Sequence, residues 1–263
     1  ENNYTIWGFL KACHERGYLY KGTDVMPWSG RAGSAYSDME VKEGRKLVTH
    51  TSVFVRFPIR GRENEYLLIW TTTPWTLPSN TALCVGPNIR YVMVETYNPY
   101  TGDPINVILA KDLVNAYFDP SMLVDDGNDL PQYDHSNKHQ PYRIISEYTG
   151  KDLEGIQYEQ LIDWVQPMGD AFRVITGDFV TTEDGSGIVH MAPGFGEDDQ
   201  KLCDANGIPT IAPVDHKGAF DSRVPDYEGV LVFDANKDII RRLREEGKLV
   251  RHDTIEHNYP FCW

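Results

Sequence analysis

The sequence predicts a β-rich α+β fold, a barrel-like core of strands with a few flanking helices. Three observations carry that expectation. Short runs rich in β-branched and aromatic residues recur at 47–59, 65–73, 82–85, 89–95, 172–182 and 188–192. Clear helical periodicity is confined to a few stretches outside those runs. The chain of 263 residues is 41% hydrophobic and 12% aromatic, enough to supply a core and to exclude disorder. That length is above the usual single-domain value, but β-rich units of this size occur as one domain.

In order, residues 5–16 carry Ile6, Trp7, Leu10 and Cys13 at helical spacing, with Gly17 as a stop signal. Residues 18–26 read as extended. The runs 47–59 and 65–73 are separated by the polar stretch 60–64, which predicts a hairpin. Strands are expected again at 82–85 and 89–95. From 97 to 142 the chain is polar, with many Asn, Asp and Pro residues, and only one helix is expected, at 111–118. That stretch is expected to be a peripheral insertion. Strands return at 172–182 and 188–192. Residues 198–206 predict a helix that starts on acidic residues, which suits the positive end of its dipole. Residues 236–246 form an amphipathic pattern, with Ile239, Ile240 and Leu243 on one face and Gly247 as terminator. There are no internal repeats.

The net charge of −14 argues against a general DNA or RNA binder, because an acidic surface repels phosphates. Contact with a short nucleic-acid end at one local site stays compatible with it. Four scattered cysteines (Cys13, Cys84, Cys203, Cys262) form neither a disulfide framework nor a self-contained zinc site, and suit a reducing compartment. No apolar run approaches a membrane span and no signal-peptide pattern opens the chain. The first residues and the end at Trp263 look like cuts in a longer protein.

Two strings carry chemistry. Residues 70–82 read Trp-Thr-Thr-Thr-Pro-Trp-Thr-Leu-Pro-Ser-Asn-Thr-Ala. Pro74 and Pro78 cannot extend a central ladder, so the chain turns there. Thr71, Thr72, Thr73 and Thr76 therefore sit near a strand end, with hydroxyls able to orient a water and a carbonyl. Taken alone, threonines in a strand need no function. Residues 185–199 read Gly-Ser-Gly-Ile-Val-His-Met-Ala-Pro-Gly-Phe-Gly-Glu-Asp-Asp. Gly185 and Gly187 allow a tight turn, His190 follows on a short strand, and Asp198 and Asp199 stand at a helix start. Alone, the histidine reads as packed and the aspartates as helix caps.

Together the strings resemble the editing domains of the isoleucyl-, valyl- and leucyl-tRNA synthetases, and the second string is similar to the isoleucyl branch. Segments 152–161, 212–218, 224–229, 234–239 and 257–263 extend the resemblance over nearly the whole chain; 97–142 is unmatched. Ser186 stands where threonine is usual and keeps the hydroxyl. The His-x-Gly-His and Lys-Met-Ser-Lys-Ser signatures that bind ATP in class I synthetases are absent, so no amino-acid activation is expected.

The resemblance implies the synthetase editing-domain fold. It implies a connecting segment at 1–30, the editing domain at 31–250 and a return segment at 251–263 toward the synthetic domain. It implies hydrolysis of valyl-tRNA(Ile), with isoleucine excluded by size. A synthetic site rejects the smaller valine by only about 1–3 kcal/mol, a general figure for one methylene of which this enzyme class is the standard illustration. In that scheme Asp199 holds the α-ammonium group, Thr72, Thr73 and Thr76 orient ester and water, and His190 forms the wall of the side-chain pocket. Thr71, Trp75, Asn80, Gly187 and Asp198 are expected around the substrate. No cofactor and no metal are expected, although Cys262 could be half of a zinc knuckle. The expected partners are the 3′ end of a mischarged tRNA(Ile) and the synthetic domain of the same polypeptide, in the cytoplasm and without a membrane; the isolated domain is expected to be a monomer. A valyl- or leucyl-type editor and a non-catalytic tRNA-recruiting barrel stay open. A serine hydrolase has no Gly-x-Ser-x-Gly elbow to support it.

Overall fold

The computed structural model describes residues 2–125, 127–137 and 139–260. Helix α1 (Asn2–Glu15) closes at Gly17, whose φ of +75° lets the Tyr18 amide reach back to the Cys13 carbonyl. None of its residues is buried, and Trp7 is 70% exposed. The expected extended stretch 18–26 contains no strand. A two-residue ladder, β1 (Trp28–Ser29) with β2 (Ser34–Ala35), precedes α2 (Asp38–Glu43), which Ser37 and Glu40 start with a capping box.

The core begins with β3 (Arg45–Pro58) and β4 (Glu65–Thr71), the hairpin read from the sequence, turned by Gly61 and Asn64 at positive φ. A 3-10 turn at Pro74–Ser79 follows, where the two prolines forbid a ladder. Next come β5 (Ala82–Val85), β6 (Arg90–Tyr97), β7 (Pro104–Ala110), α3 (Val114–Tyr117), β8 (Arg143–Thr149) and α4 (Gly150–Leu153). The chain closes with β9 (Arg173–Thr176), β10 (Ile188–Met191), α5 (Glu197–Ala205), α6 (Val232–Glu245) and β11 (Leu249–Pro260).

Two mixed sheets result, and no closed barrel forms among the described residues. The larger has the order β11-β3-β4-β7-β6-β8 and the smaller β10-β5-β9. The β4–β7 and β5–β9 pairs are parallel and the others antiparallel. Strand alternation divides the apolar residues among layers. Val53, Val55, Phe57, Leu67 and Ile69 of the large sheet pack with Leu83, Val85, Val174 and Ile188 of the small one. The alternate residues Phe54, Leu68, Val92, Val94 and Val107 form a second cluster on the other face of the large sheet. Ala82, Cys84, Ile175 and Met191 pack on the outer side of the small sheet with Cys203 of α5.

The peripheral reading of 97–142 is corrected here. Strand β7 lies inside it, between β4 and β6, with Ile105, Val107, Ile108, Leu109 and Ala110 buried. Its seven residues were masked by polar flanks, and Pro104 takes the first position of the strand, where no ladder donor is needed. The return segment is likewise a strand. β11 pairs with β3 from Leu249↔Val55 to Pro260↔Arg45, so its outer half and Arg45–Thr51 make a two-stranded ribbon beyond the sheets. Cys262, the expected half of a zinc knuckle, lies outside the described residues.

Candidate active site

The cleft forms where the end of β4, the 3-10 turn and β10 converge. The antiparallel β5–β10 pair sets His190 opposite Leu83, one turn of chain away from the threonines. The cleft measures about 410 Å³ and is lined by Thr71, Thr72, Thr73, Trp75, Thr76, Gly187, His190 and Asp199 of the expected set. Two motifs more than a hundred residues apart thus share one site.

Three of the threonines make a network. The Thr71 Oγ1 accepts from the Thr73 amide at 3.1 Å and lies 3.2 Å from Thr73 Oγ1, which lies 3.3 Å from Thr76 Oγ1. The Thr76 hydroxyl donates to the Thr73 carbonyl at 2.8 Å. Thr72 lines the cleft, and its hydroxyl has no hydrogen-bond partner among the described residues. Trp75 stands edge-on to Phe195 with ring centroids 4.8 Å apart, and its amide donates to Asn236 Oδ1 of α6 at 3.0 Å.

His190 is 8% exposed, and both ring nitrogens are engaged: Nε2 with Thr76 Oγ1 at 3.0 Å, Nδ1 with Asn80 Nδ2 at 2.8 Å. Burial pushes its pKa from 6.5 down to about 4, and the hydrogen bond to Thr76 opposes that only in part. The ring is therefore neutral at physiological pH and holds no free lone pair. A stability effect follows. The unfolded chain takes up this proton near 6.5 and the folded chain only near 4. The contribution is complete above pH 6.5 and is lost as pH falls through that interval, up to ~3 kcal/mol. Urea unfolding at pH 7, 5.5 and 4.5 checks it; His190→Gln should show a shallower loss, and equal slopes would refute the assignment.

Asp199 sits in the first turn of α5. Its Oδ2 accepts from the Ala192 amide at 2.8 Å. Burial raises its pKa, the Ala192 hydrogen bond pulls it back, and the neighbouring Asp198 raises it further. No cationic side chain pairs with it among the described residues. Gly196 is bare for this carboxylate: a Cβ there would lie 2.8 Å from Asp199 Cγ.

Two expected substrate contacts do not line the cleft. Asp198 is exposed on the outer side of α5. Asn80 is 1% exposed behind His190, where it holds the ring and the Ala82 carbonyl. Sequence reasoning missed Phe195, Gly196 and Tyr259 on the cleft wall, and Asn236 and Tyr158 behind it. Gly196 and Phe195 lie inside the second string and were legible; Asn236 and Tyr259 stand in the resembling segments 234–239 and 257–263, where nothing singled them out.

Gly187 is fixed by space and by backbone. Its φ is +74°, and a Cβ would come 2.4 Å from Ala110 Cβ. Gly187→Ala should cost about 2 kcal/mol or more. Ala110→Gly in the same chain should recover the steric part, measured as a non-additive pair of denaturant midpoints.

Among the described residues no group of three His, Cys, Asp or Glu side chains could hold a metal ion, and no helix is long and apolar enough to cross a membrane. No protein-family model matches the chain. It is, however, 41% identical over 303 aligned positions to an isoleucine–tRNA ligase of Cytophaga hutchinsonii, with all of this chain and 27% of the relative covered. It is 48% identical over 312 positions to that of Bacteroides fragilis, again over all of this chain and 27% of the relative. The chain belongs to the isoleucine–tRNA ligase family. As an isoleucine–tRNA ligase segment, it spans about a quarter of the length of those relatives. Its fold is that of synthetase editing domains. The cytosolic leucyl-tRNA synthetase editing domain of P. falciparum superposes with a TM-score of 0.53 at 9% identity, covering 77% of this chain and 99% of that one. That of P. knowlesi gives 0.50 at 9%, covering 83% and 99%.

Proposed function

We propose that this domain hydrolyses the ester of mischarged aminoacyl-tRNA, clearing valyl-tRNA(Ile) and sparing isoleucyl-tRNA(Ile). The observation that carries the reading is Asp199, a partly buried carboxylate on the cleft wall with no cationic partner among the described residues. A buried charge without a counter-ion is costly, and a substrate ammonium group supplies one through a short charge-assisted hydrogen bond. The α-amino group of an aminoacyl ester carries that ammonium next to the bond to be cleaved.

The ester is already a reactive acyl bond, so positioning of a water and support for the developing oxyanion suffice. Thr72 offers the hydroxyl left open by the threonine network. Thr73 and Thr76 hold one another and the floor of the cleft. His190 acts as a wall and not as a base, because Nδ1 faces the Asn80 amide and Nε2 faces Thr76. A neutral ring pinned at both nitrogens is a stiff surface. That suits a size limit of one methylene, which flexible walls would blur.

The net charge of −14 repels the tRNA body. Most of the tRNA grip is therefore assigned to the parent polypeptide, with only the acceptor end reaching this cleft. The test is hydrolysis of valyl-tRNA(Ile) and isoleucyl-tRNA(Ile) measured side by side with this chain and with its parent. Valyl ester is expected to disappear and isoleucyl ester to persist; equal rates, or inactivity of both proteins toward the valyl ester, would sink the reading.

A further inference from the structure

We propose that Tyr158 is a positioning residue: through Asn80 it holds His190 in one tautomer and one orientation, and so keeps the size limit of the cleft. This rests on reading His190 as the limiting wall.

Tyr158 belongs to the 152–161 segment and never touches the cleft. It is fully buried, edge-on to Phe57 at 5.3 Å and to Phe172 at 6.1 Å, and its amide donates to the Phe172 carbonyl. Burial raises the phenol pKa well above its ordinary value, so the hydroxyl stays protonated and must find an acceptor. It finds Asn80 Oδ1 at 2.6 Å.

From there every direction is fixed by chemistry. The Ala82 carbonyl can only accept, so the Asn80 atom 2.9 Å from it is the amide nitrogen. That nitrogen also faces His190 Nδ1 at 2.8 Å, so Nδ1 accepts and the neutral ring carries its hydrogen on Nε2. Nε2 then donates to Thr76 Oγ1 at 3.0 Å, and Thr76 spends its own hydrogen on the Thr73 carbonyl at 2.8 Å. The chain runs one way, from Tyr158 through Asn80 and His190 into the threonine floor. A proton added at Nδ1 would meet an N–H head-on, which opposes charging of the ring independently of burial. Removing the phenol oxygen leaves Asn80 Oδ1 buried without a donor. The amide then swings, and the ring edge that bounds the pocket swings with it.

The experiment is nitrogen-15 histidine NMR on the full chain, combined with the ratio of valyl- to isoleucyl-tRNA(Ile) hydrolysis. Wild type is expected to show His190 with Nδ1 unprotonated and Nε2 protonated, without titration above about pH 5. Tyr158→Phe is expected to show a mixture of tautomers and a ratio lowered about tenfold, the equivalent of one hydrogen bond. Asn80→Asp can only accept, so it should move the proton to Nδ1 and bring His190 titration up toward neutrality. A wild-type ring protonated at Nδ1 overturns the proposal. So does a folded Tyr158→Phe with unchanged spectrum and ratio. Should Tyr158→Phe fail to fold, the Asn80→Asp spectrum decides, and absence of inversion overturns it. Failure of the editing reading shows differently, as wild-type inactivity toward valyl-tRNA with the His190 spectra as described.

Discussion

Asp199→Asn should yield a folded domain that no longer clears valyl-tRNA(Ile). Truncating one side of a desolvated charge pair costs about 2–5 kcal/mol, so kcat/KM should fall by roughly 30- to several-thousand-fold. Stability should move the other way. The folded carboxyl has a pKa raised by burial, so it binds its proton more tightly than the unfolded chain does. Stability therefore falls as pH rises through the window between the unfolded and folded values, and an asparagine escapes that loss. Asparagine also keeps an oxygen for the Ala192 amide. Thermal unfolding below the ordinary aspartate pKa of about 3.9 and again at pH 7 should show the variant's advantage larger at pH 7. A variant that is inactive only because it is unfolded would remove Asp199 from the substrate and return it to the scaffold.

His190→Ala should turn isoleucyl-tRNA(Ile) from a spared molecule into a substrate. The imidazole stands on the cleft wall, held by Thr76 and by Asn80 behind it, and its loss leaves room for the additional methylene. Discrimination of the order of 10–200-fold is expected to collapse toward unity. The change also leaves one hydrogen of the buried Asn80 amide without its acceptor, worth about 1–3 kcal/mol of stability. The measurement is initial hydrolysis rate for both esters with unfolding followed in parallel. A folded variant that still spares isoleucyl ester would show that the limit is set elsewhere on the wall.

The large features were legible because they rest on local patterns. The β3–β4 hairpin shows in two β-branched runs around a polar turn, and α6 in the spacing of Ile239 and Leu243. What escaped depends on distant pairing. β7 is a short apolar island in polar sequence, recognisable as a central strand only once β4 and β6 flank it. β11 alternates among polar residues and is a strand because β3 offers it an edge. At the site, the contiguous strings pointed to Thr71, Thr72, Thr73, Thr76, His190 and Asp199, all of which line one cleft. Asn80 and Asp198 stand off the cleft lining, since one strand position or one helical step decides whether a side chain meets the cleft or its back. Tyr158 stood in a recognised segment, yet its link to Asn80 spans 78 positions.

The β3–β11 ribbon has a consequence for how such a unit can sit within a longer chain. Arg45 and Pro260 are paired neighbours, so the polypeptide between them leaves and returns at one place. The sheets, the cleft and α3 to α6 are together a single long loop whose mouth is already zipped. Lengthening a loop adds little closure entropy, growing only with the logarithm of its size. To any host element abutting those strands, this whole stretch has the thermodynamic weight of a hairpin. A longer chain could therefore acquire, enlarge or lose such a unit at this point with little disturbance to the stability of its own core.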